Sequence, residues 1–81
     1  MNLNEAIQRT FSRELPNVIV EVSEINKFLK VDVECPSKKS VNKYSHEAFD
    51  LLVELTGARP DCTINDNACT FTVQPVFFDE V

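Results

Sequence analysis

Few residues of this chain have the types and spacing that catalysis requires. His46 is the only histidine, and Ser45 precedes it directly. Adjacent residues of a helix point about 100° apart, so Ser45 and His46 do not form a nucleophile–base pair. The helical pattern around His46 places it on the polar side, and we expect an exposed histidine without a catalytic role.

The three cysteines are Cys35, Cys62 and Cys69, and none forms the closely spaced ligand pair of a structural zinc site. Their phase along predicted strands indicates small, buried, apolar side chains. Cys62 and Cys69 flank one predicted turn and could be cross-strand neighbours, so a disulfide formed only on oxidation is the alternative to this reading. A single glycine leaves no glycine-rich phosphate loop. We predict no metal and no cofactor.

Carboxylates are the remaining groups that could take part in catalysis. Glu47, Asp50 and Glu54 share the polar face of one predicted helix, and Asp79 and Glu80 lie near the chain end. General acid catalysis needs a carboxyl group held out of water in a pocket, which neither position suggests. We therefore predict that the protein is not an enzyme and has no catalytic residues.

The element that presents most of these carboxylates is a helix within residues 37–60. Ser37 or Ser40 is a suitable N-cap, Gly57 suits the left-handed position after the helix, and Pro60 prevents its continuation. The predicted core-facing stripe consists of Val41, Tyr44, Ala48, Leu51, Leu52 and Leu55. Phe49 and Val53 lie on the flank of this stripe, beside the acidic side chains.

The other segments predict a first helix over residues 2–15 and strands over residues 17–23, 28–35, 61–65 and 68–74. The predicted order is α-β-β-α-β-β in a single α+β domain, residues 1–81. We expect a two-layer sandwich of permuted ferredoxin-like topology, with two helices on one face of a four-stranded, mainly antiparallel sheet. The expected strand order is third, fourth, second, first. The predicted inward residues of the second hairpin are Cys62, Ile64, Cys69, Phe71 and Val73.

Charge and composition exclude several classes of partner. The net charge is −5, which disfavours nucleic acids and anionic membranes as direct partners. The predicted open sheet face carries Glu21, Asp32 and Glu34, with only Phe28 and Lys30 suited to RNA. The odd number of cysteines and the lack of a long apolar run predict a reducing, cytoplasmic setting.

These observations predict a non-enzymatic protein-interaction module whose partner has a basic surface. The predicted partner-binding residues are Glu47, Asp50, Glu54, Phe49, Val53, Asp79 and Glu80. In size and charge the chain resembles phage-encoded inhibitors of host nucleic-acid machinery, including anti-CRISPR proteins, and such a resemblance implies occupation of a nucleic-acid-binding surface. The alternative is a self-associating structural or adaptor subunit that pairs as a homodimer through strand edges and the apolar 76–78 segment. A small enzyme or ligand-binding domain is the third class.

Overall fold

The computed structural model describes residues 3–74. Its elements are α1 (Leu3–Glu14), β1 (Ile19–Ile25), β2 (Phe28–Glu34), a 3-10 turn (Lys38–Ser40), α2 (Val41–Thr56), β3 (Asp61–Asn65) and β4 (Ala68–Val73). The predicted order α-β-β-α-β-β is confirmed. Asp79, Glu80 and the apolar 76–78 segment lie outside the described residues.

The four strands form one antiparallel sheet in the order β1-β2-β4-β3, which confirms the predicted strand order and the permuted ferredoxin-like arrangement. Each hairpin turns through two residues between its strands. Asn26 and Asp66 take the left-handed backbone conformation there, with φ of 57° and 59°. Asparagine and aspartate tolerate this conformation better than other non-glycine residues, so both turns follow from their sequence.

Both helices pack on one face of the sheet, and the hydrophobic core lies between the two layers. The buried core residues are Ile7, Phe11, Leu15, Leu29, Val31, Val33, Cys35, Val41, Ala48, Leu52, Cys69, Phe71 and Val73. The strands β2 and β4 supply alternate residues to this core because successive side chains of a strand point to opposite faces. The other face of the sheet has no helix over it within residues 3–74, and we call it the open face.

The buried side of α2 differs from the predicted stripe. Ser45 and Thr56 are buried, whereas Leu51 and Leu55 are only half-buried. The buried hydroxyl groups are satisfied locally, since Ser45 Oγ donates to the Asn42 carbonyl at 2.9 Å and Thr56 Oγ1 to the Leu52 carbonyl at 2.7 Å. Burial of these two hydroxyl groups therefore costs little free energy, and α2 packs the side with Ser45 and Thr56 against the core.

The predicted end of α2 at Gly57 is confirmed, but its start differs from the prediction. The helix begins at Val41, Ser40 makes no side-chain capping hydrogen bond to it, and Ser37 is the N-cap of the preceding 3-10 turn. The Ser37 backbone N–H donates to Ser40 Oγ at 3.2 Å, and Ser40 Oγ donates to the Ser37 carbonyl at 2.9 Å. At the other end Gly57 has φ 73°, and its N–H donates to the Val53 carbonyl at 2.9 Å. Glycine takes this left-handed conformation without the steric penalty of a Cβ atom.

The second hairpin corrects two expectations. Cys62 pairs with Phe71 and Ile64 pairs with Cys69, so Cys62 and Cys69 are not direct cross-strand partners. Cys62 and Ile64 share the helix-side face with the buried Cys69 and Phe71, yet both are exposed. The helix layer therefore leaves these two positions of the edge strand β3 uncovered.

Candidate functional site

The candidate site is a row of three carboxylates on the outer side of α2. Glu47, Asp50 and Glu54 are spaced three and four residues apart, which aligns them along one face of a helix. All three are exposed, as expected. The row extends over about 10 Å of the helix axis, at 1.5 Å per residue. We call these three residues the acidic row.

The acidic row has no positive charge bound to it within residues 3–74. The nearest lysine along the helix is Lys43, whose ammonium group lies over the Tyr44 ring, 5.9 Å from its centroid. Lys38 instead forms a salt bridge with Asp66 of the second hairpin turn at 3.4 Å. None of the salt bridges among the described residues involves a member of the row. Its three charges therefore face solvent uncompensated.

The two apolar candidates on α2 are placed differently from the acids. Phe49 is half-buried and packs against the core, and the Arg59 guanidinium lies 6.0 Å from its ring centroid. Val53 is half-buried on the same flank of the helix. Phe49 therefore contributes to the packing of α2, and Val53 is the apolar neighbour that borders the acidic row. The remaining candidates, Asp79 and Glu80, lie outside the described residues.

A groove between the two helices adjoins the acidic row at Glu54. Its lining consists of Thr10, Arg13, Glu14, Leu51, Glu54 and Leu55, and its volume is about 360 Å³. Arg13 is occupied by its neighbour Glu14, with an Nε–Oε2 distance of 3.3 Å. The groove thus places the half-buried Leu51 and Leu55 beside the last acid of the row.

The three cysteine thiols are free, and their surroundings keep them protonated. Cys35 and Cys69 are both buried in the core. Burial, with smaller contributions from Cys35 and Cys62, raises the pKa of Cys69 to about 12. Burial also raises the pKa of Cys35, although the interaction with the neighbouring Cys69 thiol acts in the opposite direction. A protonated thiol is a poor nucleophile and a poor metal ligand.

Residues 3–74 bring no three histidine, cysteine or acidic side chains together as a metal site. His46 is exposed, as its helical position predicts. No helix in this part of the chain has the length and apolar character needed to cross a membrane.

The candidate residues chosen from sequence omit two exposed apolar side chains of the first hairpin, Ile19 and Ile25. Both point away from the helices, because their neighbours Val18, Val20 and Val22 pack against the core. The alternation of residues in β1 already places Ile19 and Ile25 on the face opposite these valines. It is easily overlooked because an isoleucine is normally assigned to the buried face of a strand.

Comparison with known proteins gives no relative on which to base a function. The chain matches no protein-family model, no curated protein and no solved structure. The functional argument therefore depends on the geometry of the described residues.

Proposed function

We propose that this protein is a non-enzymatic, cytoplasmic interaction module that inhibits or modulates a partner by occupying its basic, nucleic-acid-binding surface. The observation that supports the proposal is the acidic row, whose three exposed carboxylates have no bound cation within residues 3–74. Val53 borders the row and Phe49 supports the helix from the core side. Asp79 and Glu80, which lie outside the described residues, are further acidic candidates for contact with the partner.

The spacing of the acidic row suits a surface that normally binds phosphates. Three charges over about 10 Å of helix axis give one charge per roughly 5 Å. A single DNA strand carries one charge per about 3.4 Å of its axis, which is of the same order. Lysine and arginine side chains on the partner would form charge-assisted hydrogen bonds with these carboxylates. The net charge of −5 adds long-range attraction to such a partner.

A charge-reversal experiment tests the proposal. The variant E47K/D50K/E54K reverses the whole row, and the control variant E24K/E34K/D61K makes the same change in net charge at exposed positions elsewhere. Both tagged variants and the wild type are used to capture partners from host-cell lysate, with washes at low and high salt. We expect the wild type and the control to retain a nucleic-acid-processing protein at low salt and release it at high salt.

The acidic-row variant should retain no such partner while keeping the wild-type circular dichroism spectrum and melting temperature within a few degrees. Equal capture by the acidic-row variant and the wild type would refute the role of the row. Loss of capture by the control variant as well would show that total charge, and not the row, determines binding.

The edge strand β3 supports a second candidate, a self-associating subunit. All five residues of β3 are exposed, and its outer edge is unpaired within the described residues. Ile64 adds an exposed apolar side chain there. Two copies joined edge to edge through β3 would bury this surface in a symmetric interface. Sedimentation of the wild type, of I64K and of a chain lacking residues 76–81 tests self-association. A wild-type protein that is monomeric at all concentrations excludes this candidate.

A further inference from the structure

The open face of the sheet has exposed apolar residues at both ends of its first hairpin. Ile25 and Phe28 are direct cross-strand partners beside the turn, and Ile19 lies at the other end of β1. Their exposed fractions are 53%, 45% and 67%, respectively. Of the four large apolar side chains exposed in residues 3–74, these three share the open face. The adjacent pair Ile25 and Phe28 thus forms an exposed apolar patch of the kind found at interfaces, and Ile19 is a separate apolar position at the far end of the same face.

The turn itself does not require this apolar pair. The second hairpin also turns through two residues, with Asp66 in the same left-handed conformation as Asn26 of the first. The pair that closes the second turn is Asn65 with Ala68, one polar residue and one small residue. The corresponding position in the first hairpin holds Ile25 and Phe28. The apolar pair is therefore better explained by contact with a partner than by hairpin formation.

The middle of the open face is negatively charged. Glu21 lies directly opposite Asp32 on the neighbouring strand, and Glu34 is two residues further along β2. Like charges in directly opposite positions destabilise a strand pair. Asp32 receives a hydrogen bond from the Thr70 hydroxyl at 2.8 Å, but Glu21, Asp32 and Glu34 form no salt bridge within the described residues. A cation from a partner would remove this repulsion.

We propose that the open face is a docking surface for a basic amphipathic helix of a partner protein. The apolar positions Ile19 and Ile25 are about 20 Å apart along the strand, at roughly 3.4 Å per residue. A helix of about 14 residues covers the same length. Its arginine or lysine side chains lie over Glu21 and Asp32, and apolar residues near its two ends contact Ile19 and the Ile25–Phe28 pair. The helix would form a third layer on the uncovered side of the sheet.

This surface is separate from the acidic row, which lies on the outside of the helix layer. The acidic row and the open face are on opposite sides of the sheet, so one molecule can engage a partner helix on the open face while the acidic row is occupied. RNA is the less suitable occupant of the open face, because its phosphates would meet Glu21, Asp32 and Glu34. Lys30 is the only cation that the described strands present there.

The test is a titration of the ¹⁵N-labelled full chain with a synthetic peptide, monitored by NMR. The peptide is a helix of about 14 residues with leucines near both ends and arginines between them on the same face. A second peptide with glutamates in place of the arginines is the control. We expect amide shifts at Ile19, Glu21, Ile25 and Phe28 with the basic peptide and none with the acidic one.

Three double variants assign the binding to one face. E21Q/D32N removes two charges from the open face, and the asparagine oxygen can still accept the Thr70 hydrogen bond; E47Q/D50N removes two charges from the acidic row. I25T/F28T removes the apolar pair and keeps residues that favour strands. We expect E21Q/D32N and I25T/F28T each to weaken peptide binding about tenfold, and E47Q/D50N to change it less than about twofold.

Three outcomes would overturn the inference. Shifts confined to α2 and abolished by E47Q/D50N would support the proposed function while excluding the open face. No shift on the open face at about 1 mM peptide would exclude the docking of a basic helix there. Shifts on the open face with poly(U) RNA in place of the basic peptide would assign it to a nucleic acid.

Discussion

Thr56 provides a direct test of what holds the end of α2 in place. Its side chain is fully buried, with 0% exposure. The hydroxyl group donates to the Leu52 carbonyl at 2.7 Å and accepts the Ala58 backbone N–H at 3.2 Å. It thus connects the last turn of the helix to the segment that leads into β3. Substitution by valine keeps the shape of the side chain and removes only these bonds.

The expected magnitude for T56V follows from those contacts. Loss of the bond to Leu52 costs about 1 kcal/mol, and a partly buried Ala58 N–H without its acceptor costs about 1–2 kcal/mol more. The added buried methyl group returns about 1 kcal/mol. The net expectation is a loss of about 1–2 kcal/mol in the free energy of unfolding. Each kcal/mol lost lowers the melting temperature of a domain of this size by about 4–8 °C.

Urea unfolding of T56V and T56S, with hydrogen exchange at the Ala58 amide, checks this account. T56S keeps both hydrogen bonds and loses one buried methyl group, so we expect a loss of about 1 kcal/mol and normal protection of Ala58. In T56V the Ala58 amide should exchange faster than in the wild type. A valine variant as stable as the wild type, or more stable, would refute the reasoning, because burial of apolar surface would then outweigh both bonds.

Three further predictions concern the backbone and the thiols. G57A should lower stability by about 1 kcal/mol, because alanine disfavours the φ of 73° found there; thermal unfolding measures this. Stability should fall as pH rises from 9 toward 12, because the unfolded chain loses the Cys69 proton near its ordinary pKa of 9.0 while the folded chain holds it to about 12. In urea titrations C69A should show a shallower slope, which the raised pKa values of Cys35 and Cys62 still maintain. A thiol reagent should modify the exposed Cys62 in the native protein and Cys35 and Cys69 only after unfolding.

The elements and their order could be read from sequence because each has a strong local signal. The alternation in β1 and β2, the Asp66 turn and the stop at Gly57 all depend on neighbouring residues. The strand order followed from the topology that such a sequence of elements allows. The exposure of the acidic row was also predictable, because three acids at helical spacing define a polar face without knowledge of the partner layer.

The deviations arise where long-range packing decides. A helical stripe drawn from hydrophobicity leaves out Ser45 and Thr56, because it cannot anticipate that local carbonyl groups satisfy their hydroxyls. The phase of β3 places Cys62 and Ile64 on the correct face, but their exposure depends on how far the helix layer extends. For a similar reason the partner-binding residues predicted from sequence include no isoleucine of the open face. Whether an isoleucine in β1 is covered depends on what packs on that face of the sheet.

The pairing of β2 with β4 has a consequence for how the chain folds. Both hairpins and both helices are formed by residues close in sequence, whereas β2 and β4 come from different halves of the chain and are the only pair of strands that joins those halves within residues 3–74. Forming this pairing closes the loop that runs from β2 through α2 to β4, and closure between residues so far apart in sequence is slow compared with hairpin formation. We expect the β2–β4 contact to set the folding rate, with V31A and F71A slowing refolding far more than substitutions in either turn.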